Sequence, residues 1–103
     1  MRSDFVGSFY FKQTTTGNLL GEFINNDSTI INVESAVLTS IKGAFIGTYD
    51  SIWNDGTLHS AKLEITKVHN KFIVEWTDVS SYNYEGQAMI VDNILTGYYR
   101  VKP

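Results

Sequence analysis

The stretch SAKLEITKVHNKFIVEW, residues 60–76, decides the fold class of this 103-residue chain. Apolar residues take every second position on both sides of its centre: Ala61, Leu63 and Ile65, then Phe72, Val74 and Trp76. A period of two is typical of strands that are buried on one face. Between the two halves, His69-Asn70 has the length of a tight hairpin loop, and Asn tolerates a positive φ. The stretch therefore predicts two antiparallel strands.

The same alternation extends over most of the chain and predicts eight strands. We expect them near residues 4–12, 18–26, 29–34, 36–41, 43–53, 57–68, 71–79 and 82–101. The last span folds back on itself at Asp92-Asn93, so it supplies two strands if residues 29–41 form a single one. Residues 33–41 are also compatible with a turn or two of helix. Short connections favour an up-and-down meander, and closure of the meander removes its edges.

A glycine two residues before an aromatic ring recurs along the chain. It occurs as Gly7-Ser8-Phe9, Gly21-Glu22-Phe23, Gly43-Ala44-Phe45, Gly47-Thr48-Tyr49 and Gly97-Tyr98-Tyr99. A glycine on the inner face lets a strand bend sharply, and the neighbouring ring fills the space. Aromatic residues make up 14% of the chain, and its only proline is the last residue. We therefore predict an all-β, up-and-down antiparallel barrel of about eight strands, with residues 1–103 as one domain.

Two segments resemble a strand signature of known barrels. FIGTYDS at residues 45–51 and LTGYY at residues 95–99 resemble the Leu-x-Gly-x-Tyr pattern of avidin-like and other calycin-type barrels. The order of glycines and tryptophans is similar to that of small bacterial barrels of this kind: Gly47, Trp53, Trp76, Gly86 and Gly97. The resemblance covers about half of the chain and implies a ligand pocket at one open barrel end. The chain is shorter than a typical avidin, and no biotin-contacting residue is carried over to it.

Charge and composition argue against several classes of partner. The net charge is −3 and no basic stripe is present, so we expect no nucleic-acid partner. No apolar run reaches the roughly 18 residues that span a bilayer, and the first residues lack an apolar leader segment. We therefore expect no membrane partner and a cytoplasmic location. The chain has no cysteine and its two histidines lack metal-ligand spacing, so no metal or cofactor is predicted.

Six residues with polar tips are candidates for contact with a ligand at a barrel end. They are Tyr49, Trp53, His59, Trp76, Tyr84 and Tyr99. All have the parity of the inner face, and such side chains combine apolar area with a hydrogen-bonding group. The alternative for the tryptophans is core packing, and for the tyrosines internal hydrogen bonds. His59 could be a half-exposed residue at the barrel mouth, and Tyr82 could join Tyr84 in a polar rim.

Three functions are compatible with this pattern. The leading hypothesis is a non-catalytic barrel that holds a small, partly apolar molecule at one end. The second is a fully packed barrel that acts through its outer surface as an oligomer or adaptor. Apolar residues also occupy outward positions, which favours a homo-oligomer, although another partner or an error in register would explain them too. The third is a cofactor-free isomerase or cyclase in which His59 or a tyrosine transfers protons. No two carboxylates are expected to share an interior site, so glycosidase-type chemistry is not supported, and no catalytic residue is assigned.

Overall fold

The computed structural model describes residues 5–78 and 83–103, and these form a closed antiparallel barrel. Its strands are β1 (Gly7–Gln13), β2 (Leu19–Asn25), β3 (Asn32–Ile41), β4 (Gly47–Asn54), β5 (Leu58–Val68), β6 (Lys71–Thr77), β7 (Tyr84–Val91) and β8 (Ile94–Val101). Each strand pairs with the next, and β1 pairs with β8 to close the barrel. The predicted all-β, up-and-down barrel of eight strands is confirmed. At this coarse level the fold is also consistent with a calycin-type barrel.

The described residues contain no helix, and so no helix long and apolar enough to cross a membrane. The region considered for a helix, residues 33–41, lies within the single long strand β3. The prediction of two strands broken near Ser35 is wrong, because Ser35 pairs with Leu20 on one side and with Ile52 on the other. The alternative prediction, one strand here and two strands after residue 82, is confirmed.

The two predicted tight hairpins are present. His69, Asp92 and Asn93 have φ values of 56°, 52° and 65°, which two-residue hairpin loops require. The prediction for β4 was wrong at its start, since this strand begins at Gly47 rather than at residue 43. Residues 42–46 form a loop in which Phe45 has a φ of 64° and lies buried. This loop carries the Phe45 ring into one end of the barrel.

Glycines allow neighbouring strands to approach closely. A Cβ atom on Gly21 would lie 1.9 Å from the Tyr10 carbonyl oxygen, and one on Gly97 would lie 2.0 Å from the Gln87 carbonyl oxygen. The ring beside Gly21 belongs to Phe11, its pairing partner on β1, rather than to the residue two positions along. Gly21 thus has the expected position in a curved strand, but a cross-strand ring covers it.

The inner face forms one apolar core that runs along the barrel. Its buried apolar residues are Phe5, Phe9, Phe11, Leu19, Ala36, Phe45, Tyr49, Trp53, Ala61, Leu63, Ile65, Phe72, Val74, Trp76, Ala88, Leu95 and Tyr99. Ile90 shares the parity of the buried Gly86 and Ala88 but is 41% exposed, because it lies at the end of β7 beside the hairpin. Leu38 packs against the core, because it shares the parity of Ala36 in the continuous β3.

Candidate functional site

A cavity of about 330 Å³ lies at one end of the barrel. This end is formed where β2, β4, β6 and β8 finish and where the other four strands begin. The cavity is lined by Phe5, Phe9, Phe23, Asn25, Asp27, Ser28, Asn32, Glu34, Trp53, Asp55, Trp76, Tyr84 and Tyr99. Seven of these are aromatic, and the remaining described lining residues are polar or acidic. The site therefore combines an apolar wall with a small number of polar groups.

Tyr99 lies at the centre of the aromatic wall. Its ring centroid is between 5.8 and 6.4 Å from those of Phe5, Phe9, Phe23, Trp76 and Tyr84. Its hydroxyl donates to the Ile24 carbonyl at 3.3 Å and accepts from the Asn25 side chain at 3.2 Å. Burial raises the pKa of Tyr99 to about 12, so the hydroxyl stays protonated at physiological pH. Tyr99 thus contributes a neutral ring to the wall.

Glu34 is the one buried carboxylate among the described residues that line the cavity. It is 4% exposed, and its backbone pairs with Trp53 on β4. Its Oε2 atom accepts hydrogen bonds from the Ser51 hydroxyl at 2.5 Å and from the Trp76 indole N–H at 2.7 Å. Both bonds fall on Oε2, and no residue in the described part of the chain donates to Oε1. One oxygen of a buried acid is therefore without a donor from the described part of the chain.

Burial controls the charge of Glu34. Loss of hydration raises its pKa from the ordinary 4.5 to about 7, and the hydrogen bonds from Ser51 and Trp76 oppose this rise only in part. The charged and neutral forms are therefore both populated near neutral pH. Carboxyls that titrate near neutrality inside a cavity are common in binding and catalytic sites.

Four of the six predicted site residues line the cavity together: Trp53, Trp76, Tyr84 and Tyr99. Tyr49 is not among them and is fully buried. Its hydroxyl donates to the Phe45 carbonyl at 2.8 Å and accepts from the Gln13 side chain at 3.1 Å. These partners belong to the opposite end of the barrel, where the loop with Phe45 closes the interior. Tyr82 lies outside the described residues.

His59 lies beside the cavity wall and is not part of it. Its ring stacks on Trp53 with centroids 5.2 Å apart and an interplanar angle of 13°. Its Nε2 is 3.1 Å from Asp55 Oδ1, and its Nδ1 is 3.6 Å from Asp78 Oδ2. The side chain is 20% exposed. His59 therefore covers one face of Trp53 and contacts Asp55, and both of these residues line the cavity.

Glu34 was missed in the sequence because β3 has an inverted pattern. Polar residues such as Asn32 and Glu34 point inward, whereas Val33 and Val37 point outward and are exposed. An assignment by hydrophobicity alone therefore places Val33 and Val37 inside the barrel and Glu34 outside, which is the reverse of the structure. The predicted break at Ser35 also hid the parity that Glu34 shares with Ala36. A continuous alternation from residue 32 to residue 38 was the signal that could have found it.

The charged groups in the cavity wall are acidic. Asp27 and Asp55 accompany Glu34, and no described lining residue is a lysine or an arginine. Among the described residues, no group of three or more His, Cys, Asp or Glu side chains could hold a metal ion. The cavity wall thus combines acidic and other polar side chains with apolar aromatic rings.

Comparisons with known proteins add no assignment. No family model, no curated protein and no solved structure matches this chain. Function is therefore argued from the geometry of the cavity.

Proposed function

We propose that this barrel binds one small, partly apolar molecule in the cavity at its open end. The observation that carries the proposal is the aromatic cavity of about 330 Å³ at one end of a barrel whose opposite end holds the buried side chains of Phe45 and Tyr49. An eight-stranded barrel has room to be filled by side chains or to hold one small ligand. Small-molecule sites typically start at about 300 Å³, so the cavity suits one compact ligand.

The composition of the wall supports binding rather than simple packing. Rings such as Trp53 and Trp76 provide broad apolar contact, while the buried Glu34 and Asn32 provide polar atoms. A few polar groups in an apolar pocket orient a ligand and give specificity. The proposed role is also what the resemblance to avidin-like and other calycin-type barrels implies. Biotin is not proposed as the ligand.

The fluorescence of Trp53 and Trp76 provides a direct test, because both indoles line the cavity. Freshly purified protein is examined by native mass spectrometry and titrated with three compounds that share a phenyl ring: 2-phenylethanol, 2-phenylethylamine and 3-phenylpropionate. We expect saturable quenching by at least one of them, or a co-purified molecule.

A matched pair of variants tests the location of the ligand. Asn32→Phe adds a ring inside the cavity wall, whereas Val33→Phe adds one to the exposed face of the same strand. We expect the first to abolish binding and the second to leave it unchanged. Equal binding by both variants would place the ligand elsewhere, and no ligand with any form of the protein would end the proposal.

Glu34 favours a second candidate function, acid–base catalysis. A buried carboxyl with one open oxygen and a pKa of about 7 has the properties of a group that removes a proton next to a carbonyl and returns it to another carbon. Isomerisation of cyclohex-3-enone to cyclohex-2-enone, followed by absorbance, tests this. Catalysis that is lost in Glu34→Gln and kept in Glu64→Gln would support an isomerase. If the wild type does not convert cyclohex-3-enone, this second function is ruled out.

A further inference from the structure

We infer that the molecule held in this cavity is a small apolar amine, bound as its ammonium ion with an N–H directed at Glu34 Oε1. This inference rests on the proposed binding function and specifies the chemical class of the ligand. It is carried by three features of the described residues: the open oxygen of Glu34, the rings around it and the charge of the cavity wall.

The open oxygen needs a hydrogen-bond donor. Glu34 is 4% exposed, and its two protein donors, Ser51 and Trp76, both bind Oε2. A carboxylate withdrawn from bulk water gains free energy from a further hydrogen-bond donor, and most when it is charged. An ammonium N–H supplies both the missing donor and the opposite charge. An alcohol supplies only the donor, and a carboxylate ligand would place a second negative charge beside the first.

The rings next to Glu34 suit a cation. The indole N–H of Trp76 binds the carboxylate through the edge of the ring, so the faces that an ammonium at Oε1 would meet are those of neighbouring rings in the cavity wall. Phe9 and Tyr99 contact that indole with centroid distances of 5.3 and 5.8 Å. Aromatic faces attract cations, most strongly when water is excluded. The apolar body of the amine would lie against the remaining rings, including Trp53.

The cavity wall has one sign of charge. Asp27 and Asp55 line the cavity with Glu34, and no described lining residue carries a positive charge. The whole chain has a net charge of −3. A low-dielectric cleft lined by one sign of charge concentrates ligands of the opposite sign. The wall therefore favours entry of an ammonium ion and disfavours an anion.

The three phenyl compounds above separate the ligand classes, because they share a ring and differ in the head group. At about pH 8, where most of the Glu34 carboxyl is ionised, we expect the amine to bind at least about tenfold more tightly than the alcohol. We expect 3-phenylpropionate to bind more weakly than both. Tryptophan quenching gives the three dissociation constants.

Glu34→Gln is the decisive variant, since glutamine keeps an acceptor for Ser51 and Trp76 but removes the charge. We expect it to bind the amine and the alcohol with similar affinity. Glu64→Gln, on the exposed face of β5, is the matched control and should keep the tenfold preference. If Glu34→Gln does not fold, Glu34→Asp replaces it, because the shorter side chain withdraws the carboxylate and should also reduce the preference.

The outcomes distinguish this inference from the proposed function. Binding of the alcohol or the propionate as tightly as the amine would overturn the inference and leave the binding function standing. A preference for the amine that survives the loss of the Glu34 charge would overturn it as well. Absence of binding by all three compounds and of any co-purified molecule would remove both.

Discussion

At the scale of single residues, Glu34 departs most from what an apolar interior permits. An isolated carboxylate inside a barrel is costly, and the hydrogen bonds from Ser51 and Trp76 offset only part of that cost. Residues kept at such a cost are often functional. Tyr49 shows the opposite case, since its buried hydroxyl is fully used by Gln13 and Phe45 at the closed end.

The raised pKa of Glu34 predicts a pH dependence of stability. Its pKa is about 7 in the folded barrel against 4.5 for the ordinary group, so between these values the folded state binds more protons than the unfolded state. Stability therefore falls as pH rises from about 4.5 to about 7, by of the order of 1 kcal/mol per pH unit, and this loss is complete above pH 7.

Urea unfolding of the wild type and of Glu34→Gln between about pH 5 and pH 8 measures this effect. We expect the variant to gain stability relative to the wild type as pH rises, because glutamine has no charge to bury. Parallel pH profiles for the two proteins would contradict the raised pKa.

Tyr49→Phe should lower stability without affecting ligand binding. The change leaves the Phe45 carbonyl and a Gln13 N–H without the Tyr49 hydroxyl in a buried setting, which costs about 1–3 kcal/mol. Urea unfolding measures the loss, and the fluorescence titration should give an unchanged affinity. Weaker binding at unchanged stability would instead place Tyr49 in the site.

At the scale of elements, the strands curve because their glycines let the neighbouring backbone approach. At Gly97 on β8 a Cβ atom would lie 2.0 Å from the Gln87 carbonyl oxygen and 2.7 Å from the Ala88 Cα on β7. These are backbone atoms, which cannot move aside without separating the two strands. β8 also pairs with β1, so this position contributes to closure of the barrel.

Gly97→Ala should therefore be strongly destabilising, by at least about 1–3 kcal/mol. Gly43→Ala is the matched control, because a Cβ there would lie 3.5 Å from the nearest atom, an ordinary contact with Ile46. We expect the control to change stability by less than about 0.5 kcal/mol. The free energies of unfolding of the two variants are compared with that of the wild type. An equal loss of stability in both variants would show that close approach of the backbone is not the reason for glycine at position 97.

At the scale of the whole molecule, the outer wall carries apolar residues that the barrel itself does not cover. We name Leu20, Val33, Val37 and Ile52 the outer patch. They lie on β2, β3 and β4 around Ser35, and each is more than half exposed. Contiguous apolar surface of this kind is typical of interfaces, and two copies of one patch can pair around a two-fold axis.

We therefore predict a homo-oligomer that buries the outer patch. Size-exclusion chromatography with light scattering should give a mass above that of one chain for the wild type. The Val33→Lys variant should have the mass of a single chain. Gln87→Lys adds the same charge to the outside of β7, away from the outer patch, and should leave the mass unchanged. A monomeric wild type at high concentration would contradict the prediction.

The sequence by itself determined most of the strands, the two tight hairpins and the closed barrel, because alternation and turn chemistry are local and are repeated along the chain. It also indicated which aromatic residues point inward. The height of each inward residue along the barrel axis was not determined in this way. Tyr49 and Tyr99 have the same parity and similar neighbours, yet only Tyr99 reaches the cavity.

Only the tertiary structure decided the position and the charge of Glu34. Its donors, Ser51 and Trp76, come from β4 and β6, and Trp76 is 42 positions away along the chain. Nothing near Glu34 in the sequence indicates that a carboxylate can be held inside. Closure of the barrel brings these strands together, excludes water and thereby raises the pKa, so the chemistry of the cavity depends on contacts that no local pattern encodes.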